Sequence, residues 1–381
     1  MPIGIDASRL GTMARTGTER YTFEVVGAMA RLDRQTPYTL YCNGLPASLP
    51  RLGTNFALRN IPWPRLWTHL RLAWEMQRRP PDVLFVPSHV LPVIHPPRSV
   101  VTIHDLGYLA FPQAHTAARR LELHLSTLWS ARASRQLIAV SRATRDALVS
   151  HYRVDAAKIR VIPHGVAPHF RPVEDPSRMA ATLSRYGMDR IGGIGANYLL
   201  YVGTVQPRKN LVHLIDSFAQ VVRGAGANGG GSGGGRRDLH LVIAGKRGWM
   251  TAAIEQRAAE QDIAGRVHFV GYVDDADLPV LMSGALAFVF PSLYEGFGMP
   301  VLEAMACGTP VLTSTTTSLP EVAGDAALLV NPHDPQAIAR GLTRLVDDEE
   351  LRATLHTRGV ERATLFTWER CARETLQVLG V

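Results

Sequence analysis

Cysteine and lysine are scarce in this chain. Of its 381 residues, three are Cys (Cys42, Cys307, Cys371) and three are Lys (Lys158, Lys209, Lys246). An odd, scattered set of cysteines without metal-ligand spacing argues against a disulfide framework and fits a reducing compartment. Long apolar runs are also missing. No stretch approaches the ~18–20 residues that a membrane span needs. The N-terminal Ile-Gly-Ile-Asp reads as a strand, not as a leader. The expectation is a cytoplasmic protein, at most peripheral to the inner face of a membrane. Acidic residues run short in one half only. Residues 1–165 hold 21 Lys and Arg against 10 Asp and Glu, a balance of +11, while the remainder carries −3 of the overall +8. A one-sided basic surface suits phosphate-bearing partners: nucleic acid, an anionic membrane or a phosphorylated acceptor. A general richness in arginine would explain the count but not the asymmetry.

What is present is a repeated alternation. The runs 3–6, 38–42, 82–88, 99–105, 136–141 and 158–163 read as strands, with helical patterns at 19–32, 116–133 and 142–150 between them. Apolar strands alternating with helices imply a parallel sheet covered on both faces. The proline-rich stretch 164–176 interrupts the rhythm as a linker would. The pattern then restarts, with strands at 198–203, 238–245, 266–271, 286–292, 309–314 and 326–330 and helices at 210–223, 251–261, 276–284 and 300–307. The glycine-rich insert 224–237 reads as a flexible surface loop, and three amphipathic helices close the chain. The expected organisation is an N-terminal domain (1–170), a linker (171–196), a C-terminal domain (197–365) and a last helix (366–381) that packs back on the N-terminal domain. Two doubly wound α/β domains would turn the carboxyl ends of their strands towards a shared cleft, where ligands of such sheets bind.

The strand ends carry the chemistry. Arg208 and Lys209 follow the strand 198–203, where a helix begins. They form either a solvated basic turn or a phosphate grip aided by the helix terminus. Lys246 and Arg247 follow the next strand between Gly245 and Gly248. After the strand 286–292 comes Tyr-Glu-Gly-Phe-Gly-Met-Pro. Gly296 and Gly298 allow close approach of a ligand, Pro300 suits a first helical turn and Gly308 ends the helix. Glu295 is expected in the loop and Glu303 on the first turn of the helix. Either Glu303 only complements the helix dipole, or the two carboxylates accept hydrogen bonds from sugar hydroxyls at the two ends of an anionic ligand.

The run EGFGMPVLE resembles the E(x7)E motif of glycosyltransferase family 4, retaining enzymes with the GT-B fold of two Rossmann-like domains. VGTVQPRKNL, LVIAGKRGW, HFVGYV and PSLYEGFGMPVLEAMACGTPVLTS are similar to that family's donor domain, in order, over most of 198–345. VTIHDLGYLAFP and AVSRATRDAL resemble its acceptor domain more loosely. The resemblance implies a transferase that moves a hexose from a nucleoside diphosphate sugar, GDP-linked before UDP-linked, to a hydroxyl of a glycan or lipid-linked acceptor. It implies no cofactor beyond that donor. Glu295 would contact the sugar hydroxyls and Glu303 the ribose. Arg208 and Lys209 would hold the diphosphate, with Gly203, Gly296, Phe297, Gly298 and Met299 giving backbone approach. Lys246, Tyr272 and Val273 would lie near the base, His104 near the transferred sugar, and Gly17 in the first loop. That loop, ARTGTERY, has fewer glycines than the family pattern, and PHG with His164 stands where the family has PNG.

No metal is needed by this scheme. The Asp274–Asp277 run imitates an Asp-x-Asp motif but precedes an apolar helix, so helix capping is the expected role. The stretch 61–81 sets Trp67, Leu70 and Trp74 on one expected helical face among Arg65, Arg71, Arg78 and Arg79. It is either a membrane- or acceptor-contacting helix or a core-packing one. Rival functions are a nucleotide-sugar epimerase or a glycosyl phosphorylase on the same scaffold. A nucleic-acid binder would fit the basic half but leaves both glutamates unexplained.

Overall fold

The computed structural model describes residues 1–11, 17–46, 48–114, 116–188, 197–227, 238–260 and 263–381. The chain divides into two compact units, Met1–Gly165 with Phe366–Val381, and Val166–Leu365. The first contains β1 (Ile3–Asp6), α1 (Gly17–Leu32), β2 (Tyr38–Cys42), β3 (Phe56–Asn60), a π-helical turn (Thr68–Leu72), α2 (Ala73–Arg78), β4 (Val83–Val86), β5 (Ser99–Ile103), α3 (Gly107–Ala110), α4 (Ala117–Ala133), β6 (Gln136–Ala139), α5 (Arg142–Tyr152) and β7 (Ile159–Val161). Its strands pair in parallel in the order β3-β2-β1-β4-β5-β6-β7. Strands β1, β4 and β5 are buried at every position, which is why they read as unbroken apolar runs. Edge strand β3 is mostly exposed and carries no such signal, so the sequence pattern misses it.

The 61–81 stretch departs from expectation in one instructive way. Trp67 is 6% exposed and its Nε1–H donates to the Ile61 carbonyl at 2.8 Å, while Leu70 is 50% and Trp74 57% exposed. The three do not share a face. The π turn advances each residue by a smaller angle than an α-helix does, so the stripe predicted from a 3.6-residue period rotates out of register.

The second unit runs α6 (Pro176–Arg185), β8 (Tyr198–Val202), α7 (Leu211–Ala227), β9 (His240–Ala244), α8 (Ala252–Ala258), β10 (Val267–Gly271), α9 (Leu278–Gly284), β11 (Ala287–Phe290), α10 (Met299–Ala306), β12 (Val311–Ser314), α11 (Leu319–Ala323), β13 (Leu328–Val330), α12 (Pro335–Asp347) and α13 (Glu349–Ala363). Its parallel sheet has the order β10-β9-β8-β11-β12-β13. Both sheets thus reverse direction of growth beside their first strand, the doubly wound pattern. Within the stretch expected as a linker, α6 packs on α9, and Ser283 accepts a hydrogen bond from Val173 N at 3.0 Å. Asp277 does not cap α9 with its side chain. Its carboxylate accepts instead from Arg185 at 2.7 Å and the Tyr186 hydroxyl at 2.9 Å, which ties the end of α6 to this unit. The first residues of the glycine-rich insert continue α7, and 228–237 lie outside the described residues. Helix α14 (Trp368–Leu379) packs on α1, with Arg31 and Glu369 paired at 2.6 Å.

Candidate active site

In an open parallel sheet the loops at the point of reversal diverge and leave a crevice at the strand ends. In the second unit that point lies between β8 and β11. The residues after β8 include Arg208 and Lys209, and those after β11 include Glu295, so the topology brings together side chains 86 and 87 positions apart. Lys209 Nζ donates to Glu295 Oε1 at 2.5 Å, and Arg208 donates to Oε2 at 3.3 Å and to the Tyr294 carbonyl at 2.7 Å. The Ser292 hydroxyl completes the carboxylate's shell at 2.6 Å. Lys209 and Glu295 are buried, and Lys209 Nζ sits 4.9 Å from the centre of the Phe290 ring. Burial alone would raise the Glu295 pKa, but the Lys209 and Arg208 charges and the two hydrogen bonds hold it below the ordinary carboxylate value. The result is a compact charged knot, which excludes the solvated-turn reading of the Arg-Lys pair.

The backbone around the knot is fixed by neighbours. Asn210 adopts a left-handed conformation between the short turn Pro207–Lys209 and α7, and its side-chain amide donates to the Pro291 and Pro332 carbonyls at 3.1 and 2.7 Å. Ser318 donates to the carbonyls of Glu295 and Phe297, both at 2.9 Å, and Thr317 accepts from Glu295 N at 3.1 Å. Gly296, Phe297 and Gly298 are buried along this loop. Gly298 has φ +101° and a Cβ there would lie 2.7 Å from Leu319 Cδ2, so glycine is required where the loop enters α10. Met299 and Pro300 open that helix. Glu303 is its fifth residue and therefore lies on the second turn, not the first as expected. It is 5% exposed. A dipole partner in the first turn does not describe it.

Gly203 and Gly245 follow β8 and β9, and their backbones touch. A Cβ on Gly245 would sit 2.0 Å from the Gly203 carbonyl oxygen. Lys246 lies in the next position, exposed, with Nζ 4.9 Å from the centre of the half-exposed Tyr272 ring, and Val273 is buried beside it. These residues line the same end of the sheet as the charged knot.

In the first unit, His104 follows β5. Its Nε2 lies 2.8 Å from the Pro87 carbonyl, so a neutral ring donates there and leaves Nδ1 as an acceptor. The neighbouring Asp105 carboxylate accepts from Gly107 N at 2.9 Å. Burial pulls the His104 pKa down to about 4, with the Pro87 bond opposing the fall. Tyr21 packs edge-on against His104, and Tyr21, His164 and Trp368 of α14 pack against one another with ring centres 4.9–6.0 Å apart. The PHG histidine is therefore part of a buried aromatic cluster. Gly17 is the first residue of α1, and residues 12–16 of the loop before it lie outside the described residues. Sequence reasoning overlooked Ser292, Thr317 and Ser318. A serine directly after an apolar strand and a Thr-Thr-Thr-Ser run were the available signals.

Two doubly wound units, one bearing a cationic doublet held on a buried glutamate at its reversal point, have the two-domain architecture of a GT-B transferase. Sucrose-phosphate synthase from Thermosynechococcus elongatus superposes with a TM-score of 0.74 at 22% identity, over 99% of this chain and 98% of that one. Anabaena HepE, solved with UDP-glucose, matches with a TM-score of 0.74 at 16% identity, over 100% of this chain and 99% of its own. The family profile described as glycosyl transferases group 1 matches residues 192–362, and that of glycosyltransferase family 4 matches residues 15–170. O-antigen chain mannosyltransferase B of Escherichia coli is 31% identical over 312 residues, covering 82% of this chain and 77% of that protein. The serotype-specific mannosyltransferase WbdA of Escherichia coli is 26% identical over 286 residues, and the match spans 74% of this chain but 33% of that longer protein. The chain belongs to glycosyltransferase family 4 and is a glycosyltransferase.

Proposed function

We propose that the chain transfers a hexose, mannose in the first instance, from a nucleoside diphosphate sugar to a hydroxyl of a glycan or lipid-linked acceptor. The transfer retains the anomeric configuration and requires no metal. The observation that carries this reading is the Arg208–Lys209–Glu295 knot at the β8/β11 reversal point, with Lys209 and Glu295 buried and Arg208 half-buried. Two cations at that depth are matched to a diphosphate, and their present partner is a carboxylate that such a ligand can replace. Relatives named as mannosyltransferases support the sugar and favour GDP over UDP as the carrier; HepE binds UDP-glucose, which keeps UDP as the second choice.

The roles follow from chemistry. Arg208 takes the diphosphate as a planar fork and Lys209 as a point charge, and both gain as negative charge grows on the departing group. Gly298 N–H and Met299 N–H at the start of α10 add backbone donors. Glu295, released from the knot, accepts from the hydroxyls of the sugar, and Glu303 from the ribose. Gly203 permits backbone approach, and Lys246 with Tyr272 and Val273 flanks the base. His104, neutral at physiological pH, offers Nδ1 to a hydroxyl of the transferred sugar. No protein carboxylate is assigned as a nucleophile. The acceptor attacks the face that the diphosphate leaves, and an oxygen of the departing phosphate takes its proton. An acceptor carried on a lipid would place this chemistry at a membrane surface.

The test is product analysis with GDP-mannose and UDP-glucose, an oligosaccharide acceptor, and NMR of the new anomeric centre. An α-linked product from an α-linked donor is expected, unchanged by chelator. An inverted product would overturn retention, and loss of activity with chelator would overturn metal independence. A new sugar nucleotide from donor alone would indicate an epimerase, and a sugar phosphate formed with inorganic phosphate a phosphorylase.

A further inference from the structure

Strand pairing between β11 and β12 ends at Phe290 and Thr313, yet the two chains stay zipped beyond that point. Hydroxyl groups replace the ladder. Ser314 donates to the Ser292 carbonyl at 2.7 Å and Thr316 to the Leu293 carbonyl at 3.4 Å. Thr317 accepts from Glu295 N at 3.1 Å, and Ser318 donates to the Glu295 and Phe297 carbonyls, both at 2.9 Å. Both main-chain polar groups of Glu295 are therefore held by side chains of the loop after β12.

One member of the zipper is strained. Thr317 has φ +57°, a left-handed conformation that a β-branched residue rarely takes and that glycine takes freely. Such strain persists where the surroundings enforce it. Glycine would remove the strain but also the hydroxyl. The hydroxyl hydrogen is committed to the Thr316 carbonyl at 2.8 Å, so the oxygen is left to accept. The group it accepts from is the amide of Glu295. Threonine here accepts backbone strain in return for one hydrogen bond to the residue at the centre of the charged knot.

The Glu295 side chain is tied in the opposite manner, by groups with a second partner at hand. Ser292 Oγ lies 2.6 Å from the carboxylate, but also 3.2 Å from the Arg208 carbonyl and 3.3 Å from the Tyr294 carbonyl. Its single hydrogen can turn to either when the carboxylate leaves. Arg208 keeps the Tyr294 carbonyl at 2.7 Å. Departure of the carboxylate thus leaves the buried serine donor with an acceptor, which removes the usual penalty for breaking such a contact.

We infer that Thr317 is a positioning residue that fixes the main chain of Glu295, so that the carboxylate swings between the cations and the donor sugar about a stationary backbone. This deepens the glycosyl-transfer reading and rests on it for the second position of the carboxylate. The stationary backbone is independent of that reading.

Three substitutions in the full chain separate the hydroxyl from the strain. Thr317→Ser keeps the hydroxyl, Thr317→Gly removes hydroxyl and strain together, and Thr317→Val keeps the strain but not the hydroxyl. Hydrogen–deuterium exchange of the peptide spanning Ser292–Gly298, read by mass spectrometry, reports the hold on Glu295 without any ligand. Exchange at least about tenfold faster than wild type is expected for the Gly and Val substitutions, and a wild-type rate for Ser. Release of nucleoside diphosphate from GDP-mannose and UDP-glucose, with a mannose disaccharide as acceptor, reports the consequence. The kcat should fall about tenfold or more with Gly and Val and stay within about threefold with Ser, while the donor KM moves by less than about threefold in each. The melting temperature separates positioning from general support. It should stay within about 2 °C of wild type, or rise, for Gly, and fall for Val. Unchanged exchange in the Gly and Val chains, or faster exchange with wild-type kcat, would overturn the inference. So would a Gly chain whose melting temperature and kcat fall together, or a Ser chain as slow as the Gly chain. A wild-type chain that releases no nucleoside diphosphate from either donor would instead overturn the transfer reading, and with it the second position of the carboxylate. The exchange rates decide separately whether Thr317 holds the Glu295 backbone.

Discussion

Replacing Lys209 by methionine isolates the energetics of the charged knot. Methionine keeps the length and apolar stem of lysine but removes the charge that lies 2.5 Å from Glu295. The carboxylate is 10% exposed and cannot recover its solvation by turning outward. Removing one partner of a buried pair costs roughly 3–5 kcal/mol. Arg208 stays at 3.3 Å with a side chain 23% exposed and retains part of the interaction, so the low end, about 3 kcal/mol, is expected. For a unit of this size that corresponds to a fall in melting temperature of roughly 6–12 °C. Glu295→Gln should cost a similar amount by leaving two cations without their counter-charge. The double substitution should cost less than the sum, by about 2 kcal/mol. Arg247→Met is the control. Arg247 pairs with Glu255 at 3.4 Å, but its side chain is 70% exposed, so its loss should change stability by less than about 1 kcal/mol. Turnover with Lys209→Met should fall roughly 10²–10³-fold, the usual cost of losing one donor to a developing negative charge. Denaturant unfolding of the four variants measures the cycle directly. Additive costs, or a Lys209→Met chain as stable as wild type, would refute the claim that burial gives this pair its strength.

Two other perturbations probe the scaffold. Gly245→Ala forces a Cβ to within 2.0 Å of the Gly203 carbonyl at a backbone φ of +145°, so a loss of more than about 2 kcal/mol and of nucleotide affinity is expected. Thermal melts with and without GDP check both; an unaltered melt would mean the two loops move apart freely. Folding lowers the His104 pKa from 6.5 to about 4, so the folded state favours the neutral ring. The stability this contributes is complete above pH 6.5 and fades as pH drops towards 4. Between those limits the stability gap between wild type and His104→Asn should therefore widen with rising pH, by about 2–3 kcal/mol; a gap independent of pH would contradict the burial of a neutral imidazole.

Much of this organisation is readable from residue order, and the exceptions have physical causes. Central strands such as Val83–Val86 and Ala287–Phe290 are buried on both faces, so their apolar runs are unambiguous. The ordered motifs at the ends of β8, β9 and β11 locate the site because parallel topology makes strand ends converge. Phe56–Asn60 escaped notice because an edge strand needs little apolar content. The five-residue helix Leu319–Ala323 is too short to show a period, yet Ser318 before it fixes the Glu295 loop. The phase of Trp67, Leu70 and Trp74 depends on a π turn that no hydropathy pattern encodes. That Glu295 is held by Arg208 and Lys209, rather than merely near them, depends on a contact across more than eighty residues, which spacing cannot supply.

The central claim is that the cationic doublet of the second unit grips a nucleoside diphosphate. Titration calorimetry of GDP, UDP and their monophosphates tests it most directly, using wild type and the Arg208→Gln, Lys209→Met double substitution. The account predicts that one diphosphate binds at least about tenfold tighter than its monophosphate, and that the substituted chain loses this preference while still binding the nucleoside portion. Equal affinity of the wild type for diphosphate and monophosphate, or an undiminished preference after both charges are removed, would contradict it.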